Sequence, residues 1–146
     1  MFSTRIASVL DRYTEWMLRI SFAIVIGWFG ALKIAHMSPA EELVDATLAW
    51  THIPNVSYHL GTWEVLIGLC FLLPRLTRFT MIMFIVHMAG TLSPLIMLPE
   101  QSYISIPFGL SFAGQYIIKN LVFLAAGSAL YVKWEKSSEQ RVANSE

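Results

Sequence analysis

Apolar side chains crowd into four stretches of the chain, and polar ones collect in the gaps between them. A helix needs about 20 mostly apolar residues to cross a hydrocarbon core of roughly 30 Å. The first run covers about 16–37 and the second, which is short and stops at Pro74, about 58–73. The third covers about 79–98 and the fourth about 110–134. Apolar composition on all sides over such lengths predicts helices in lipid rather than strands. The first run is too long for the apolar region of a signal peptide. Lys33-Ile34-Ala35-His36-Met37 also lacks the small residues of a cleavage site, so we expect this run to be retained.

The gaps add detail. Ser38-Pro39-Ala40-Glu41-Glu42 reads as a helix start, with Ser as N-cap, Pro in the first turn and two acids behind it. Leu43, Ala46 or Thr47, and Trp50 follow at helical spacing up to Pro54, which predicts a short amphipathic helix lying on the outer membrane surface. The segment from Pro99 to Gly109 is expected to lack regular structure, and the tail 137–146 to fray. No internal repeat or low-complexity segment is present. The expectation is one all-α domain over 1–146, an integral membrane four-helix bundle with a short outer-surface helix between spans one and two.

Charge orients these spans. Ten Lys and Arg balance ten Asp and Glu, so the net charge is zero, but the distribution is lopsided. Arg5, Arg12 and Arg19 precede or open span one, Arg75 and Arg78 lie between spans two and three, and Lys133, Lys136 and Arg141 follow span four. The segments Ser38–His59 and Pro99–Phe112 contain neither Lys nor Arg. Short basic loops stay cytoplasmic, so both termini are expected inside. Trp16, Tyr131 and Trp134 fit the inner interface and Trp63 the outer one.

Composition excludes several classes. Hydrophobic residues make up 55% and charged residues 14%, the reverse of a disordered chain. There is no basic surplus for nucleic acid. Cys70 is the only cysteine, which excludes an internal disulfide and a two-thiol redox centre. No GxGxxG loop, P-loop, GxSxG elbow or HExxH helix occurs.

Ionisable residues inside spans are costly, and each is a functional candidate. Lys33 lies about four residues from the outer end of span one, roughly 6 Å deep. Glu64, the only acid in any span, lies at a similar depth in span two. Lys119 lies roughly 7–13 Å into span four. The three share the outer half, so either lysine can reach the carboxylate. The plain alternatives are snorkelling for Lys33 and a structural ion pair for Glu64 and Lys119. Ser111, Gln115 and Lys119 recur every four residues, which predicts an inward-facing polar stripe on span four. His87 is mid-span, either a hydrogen-bonded core residue or a proton carrier. His36, His52 and His59 complete four histidines without an HxxxH or HxH pair, so no metal site is expected. The candidate polar cleft is thus Lys33, Glu64, His87, Gln115 and Lys119. Small residues at Ala23, Gly27 and Ala31, at Gly61 and Gly68, and from Ala125 to Ser128 predict close helix packing.

Trp28–Ile34 (WFGALKI), Leu60–Arg78 (LGTWEVLIGLCFLLPRLTR) and Gly114–Asn120 (GQYIIKN) resemble the DoxX-like membrane proteins, closest to the branch of reactive-chlorine-resistance inner-membrane proteins. The resemblance covers about 15–134 and implies a four-helix bundle in the bacterial inner membrane. It also implies a link to quinone-coupled sulfur oxidation, to oxidative-stress defence beside soluble redox enzymes, or to membrane-protein assembly. It carries over no catalytic residues, and whether the chain turns over a substrate stays open.

Three functions follow as expectations. One is a redox- or oxidative-stress-associated subunit in which Lys33, Glu64, Lys119 and His87 face a quinone-like headgroup, with a soluble or membrane redox protein as partner. Another is a non-enzymatic scaffold or assembly partner whose buried charges specify packing. The last is a small carrier, which four spans would support only as a homo-oligomer.

Overall fold

The computed structural model describes residues 2–143, and the side chains of 2–9, 11, 12, 141 and 142 are outside that description, including those of Arg5, Arg12 and Arg141. Helix α1 (Phe2–Ile34) is the longest element. It ends in a left-handed residue, His36 (φ 53°). There the Met37 N–H donates to Leu32 O at 2.9 Å and the His36 N–H to Lys33 O at 3.1 Å. This pair of bonds is a Schellman closure, which supplies donors to carbonyls the helix leaves unpaired. The sequence hid it because histidine stands where glycine is usual.

Helix α2 (Glu41–Leu48) follows, as expected. Its start is not capped by Ser38, however. The Ser38 hydroxyl accepts from the Ala40 N–H at 3.3 Å, one turn before the helix, and His36 Nδ1 pairs with Glu41 Oε1 at 2.7 Å. Helix α3 (Val56–Phe71) ends ahead of Pro74, and Leu73 takes the extended backbone that a following proline imposes. A 3-10 turn over Pro74–Leu76 reverses the chain into α4 (Thr77–Leu92).

Three expectations fail beyond α4. The segment after span three is not irregular: single-turn helices α5 (Pro94–Met97) and α6 (Pro99–Ser102) lead into strands β1 (Tyr103–Ser105) and β2 (Gly109–Leu110), an antiparallel hairpin. Both prolines start helical turns, where a missing N–H costs nothing. The fourth span is not one helix either. Helix α7 (Phe112–Ile118) and helix α8 (Asn120–Ala143) are separated at Lys119. Helix α8 also continues through residues 137–143, where fraying was expected, with the Ser137 and Ser138 hydroxyls donating to carbonyls one turn back; residues 144–146 of that tail lie outside the described residues.

Helices α1, α3, α4 and α8 pack around one core. Phe22 stacks on Phe71 with ring centroids 4.5 Å apart, and both meet Phe84 edge-on at 5.2 and 5.5 Å. Ile26, Ile67, Met81, Met88 and Leu130 close the cluster. Around it the outside is as apolar as the inside: Ile24, Trp28, Leu69, Ile82, Ile85, Val86 and Val122 are all exposed. Three segments, Tyr13–Ile34, Pro74–Met97 and Phe112–Gln140, are long and apolar enough to cross a membrane. Helix α3 has 16 residues, about 24 Å at about 1.5 Å per residue, and falls short of that length.

Candidate functional site

The first and third helices approach more closely than ordinary side chains allow. A Cβ placed on Gly30 would sit 2.5 Å from Gly61 O, and one on Gly61 would sit 2.7 Å from Gly30 O. Further along the seam, a Cβ on Gly68 would sit 3.0 Å from the Gly27 nitrogen. The small-residue stripes therefore do set helix contact, but the tightest point is Gly30, which the spacing of Ala23, Gly27 and Ala31 passes over. One turn beyond this contact on each helix stand Lys33 and Glu64.

Lys33 Nζ donates to Glu64 Oε1 at 2.9 Å and to Oε2 at 2.7 Å. From α4, His87 brings its Nε2 to 3.5 Å from Glu64 Oε1. All three side chains are buried. In so dry a setting an unpaired charge is far costlier than a matched pair, so each of the two side chains depends on the other as its partner. The imidazole is only half engaged, since the buried His87 Nδ1 has no hydrogen-bond partner. The pairing of Lys33 with Glu64 displaces the snorkelling alternative for Lys33.

Lys119 and Gln115 are elsewhere. Lys119 is exposed and holds its Nζ 4.8 Å from the centre of the Tyr116 ring, a cation–π contact. Gln115 is exposed and its Nε2 donates to Leu110 O at 3.4 Å. Ser111 is the N-cap of α7, with its hydroxyl accepting from the Gly114 N–H at 3.0 Å. The expected polar stripe on span four therefore faces outward. The four-residue period holds, but a polar stripe at one end of an otherwise apolar span does not fix which way it turns.

The interruption at Lys119 makes a second feature. The Val122 N–H donates to Lys119 O at 3.0 Å, a tightened turn between α7 and α8. Beside it lies a groove of about 310 Å³ lined by Phe29, Tyr116, Lys119, Asn120, Val122 and Phe123. Phe29 is one turn from Lys33 on α1, and its ring centre lies 6.0 Å from that of Tyr116. The groove and the buried cluster are thus at one level of the bundle. A second groove of about 270 Å³, along the seam of α1 and α3, is lined by Ile20, Ala23, Ile24, Gly27, Leu69 and neighbouring apolar residues, and offers no polar side chain.

By charge and position alone, Arg19 is expected at the inner face. It is fully buried. Its guanidinium meets Glu15 Oε1 at 3.0 Å, Phe71 O at 3.2 Å and Thr77 Oγ1 at 2.8 Å. Phe71 ends α3, so Arg19 satisfies a carbonyl that the helix leaves open and ties the turn into α4 against α1. The Glu at i−4 of Arg19 was the available signal. Among the described residues no group of three His, Cys, Asp or Glu is placed to hold a metal ion. Comparison with models of known protein families, with curated protein sequences and with solved structures finds no match to this chain.

Proposed function

We propose that the protein is an integral membrane four-helix bundle that holds a quinone-like headgroup and serves as a redox- or oxidative-stress-associated subunit. Helix α3 crosses as the short second span, with its charged residue paired inside the bundle. The placement of the basic residues supports both termini on the cytoplasmic side, and the DoxX-like resemblance supports the bacterial inner membrane.

The observation that carries the reading is the groove at the α7–α8 break. It offers aromatic rings from Phe29, Tyr116 and Phe123 to a flat headgroup and the Lys119 ammonium to a carbonyl oxygen. Among the described residues no carboxylate pairs with Lys119, so its N–H groups are available to a ligand. A quinone becomes a quinol on taking up two electrons and two protons. In this reading a partner redox protein supplies the electrons. The Lys33–Glu64–His87 cluster supplies proton-carrying groups at the same depth, His87 Nδ1 among them. Mass spectrometry of small molecules that co-purify in mild detergent tests the proposal. A quinone is expected, in an amount that falls in Lys119→Ala. Its absence from freshly extracted protein contradicts the reading.

A second reading has its own support. Both Glu64 oxygens are occupied by Lys33, and the pair stands one turn from the Gly30–Gly61 contact. Charges placed so can serve packing alone, as in a scaffold or assembly subunit. Co-purification of a stable protein partner with no bound small molecule favours this reading.

A further inference from the structure

We infer that the β1–β2 hairpin is a membrane-interface anchor, seated among the lipid headgroups and upper acyl chains of the bilayer that surrounds the spans. The inference rests on the reading of the chain as a membrane protein. The hairpin projects its apolar side chains away from the bundle. Ile104 is 83% exposed, Ile106 72%, Phe108 92% and Phe112 87%. No core side chain covers them, and no charge accompanies them: residues 101–118 contain no Asp, Glu, Lys or Arg. A water-facing hairpin or a typical protein-docking face carries a polar, charged rim. A surface of isoleucine and phenylalanine with a tyrosine at its base is the composition of an interfacial segment.

The exposure is built in rather than accidental. At the base of the hairpin the Ser111 N–H donates to Ser102 O at 3.0 Å and the Ser111 hydroxyl to Gln101 O at 2.6 Å. Ser102 is fully buried, and its hydroxyl donates to Pro94 O at 2.9 Å. Gly114 packs against Ser102 O so closely that a Cβ there would collide. These contacts fix the hairpin to α5 and to the start of α7. The strand pairs, Tyr103 with Leu110 and Ser105 with Gly109, occupy backbone groups that lipid would leave unsatisfied. The apolar surface is continuous with the spans on both sides. Phe112 opens α7, whose Ile118 is exposed, and Ile96 at the end of the third span is exposed as well.

Lipid covers this surface in preference to a second copy, because the hairpin itself carries no charge and exposed apolar side chains of the adjoining helices, Ile96 and Ile118, flank it on either side. Spin-label accessibility in phospholipid vesicles tests the inference. In a Cys70→Ala background, single labels are attached after Phe108→Cys, Ile106→Cys, Ile85→Cys and Glu139→Cys. Ile85 reports the apolar belt and Glu139 the exposed tail of α8. Labels at 106 and 108 are expected to collide more often with oxygen, which concentrates in lipid, than with a water-soluble nickel chelate. The label at 139 shows the reverse. If 106 and 108 match 139 while 85 stays oxygen-dominated, the hairpin stands in water and the inference is overturned with the membrane reading intact. If 85 is also open to the chelate, the membrane reading falls and takes the inference with it. Shielding of 106 and 108 from both reagents, with dipolar broadening between copies, assigns the hairpin to a protein contact and overturns the inference.

Discussion

Lys33 and Glu64 face each other across the seam of α1 and α3, with the lysine ammonium on both carboxylate oxygens and the backbones of Gly30 and Gly61 in near contact one turn away. The two features depend on each other. Only glycines let the helices come close enough for the short carboxylate arm to meet the lysine, and the pair neutralises charges that the close approach buries.

Gly30→Ala and Gly61→Ala each force a methyl group against a backbone carbonyl, which no rotamer change relieves. Each is expected to destabilise the bundle by about 1–3 kcal/mol. Gly27→Ala meets nothing within 4 Å and should leave stability nearly unchanged. Thermal unfolding in one detergent compares the three. Equal losses at all three positions contradict the seam geometry.

Removing one member of the buried pair leaves the other charged and alone. Glu64→Gln or Lys33→Met should each cost roughly 3–5 kcal/mol. The double variant Lys33→Met with Glu64→Met should recover most of that loss, because it buries apolar atoms in place of a stranded charge. A double variant as unstable as the sum of the singles would show that the two residues do not interact.

Arg19 is expected to matter more than any other basic residue outside the Lys33–Glu64 pair. Arg19→Met strips the end of α3 of its donor and leaves Glu15 without its partner, a loss on the order of 3 kcal/mol. Arg78, whose side chain is 69% exposed beside Glu135 and Trp134, should tolerate Ala with no measurable change. Unfolding midpoints of the two variants check this, and a larger loss at Arg78 contradicts the assignment.

How much of this was legible in the sequence differs by kind of information. Counting residues from loop ends brought Lys33, Glu64 and Lys119 to overlapping levels and left His87 at mid-span; the structure joins Lys33, Glu64 and His87. Azimuth was not legible. Lys119 and Gln115 share the depth of the cluster but stand on the outward side of α7, and a span apolar all round leaves rotation unspecified. The break at Lys119 was hidden because neither Gly nor Pro marks it. Gly30 was not legible because the four-residue spacing of Ala23, Gly27 and Ala31 marks a neighbouring face. Arg19 was read for its sign alone, and its burial follows from a carbonyl and a hydroxyl supplied from the α3 end and the start of α4.

Binding of a short-chain quinone by the protein in lipid nanodiscs tests the central claim most directly, with protein-free discs to subtract partition into lipid. Saturable binding is predicted, weakened about tenfold or more, roughly 1.4 kcal/mol, by Lys119→Ala and by Phe29→Ala, and unchanged by Leu69→Ala in the apolar groove on the other seam. Uptake no different from empty discs, or binding indifferent to both Lys119 and Phe29, would contradict the account.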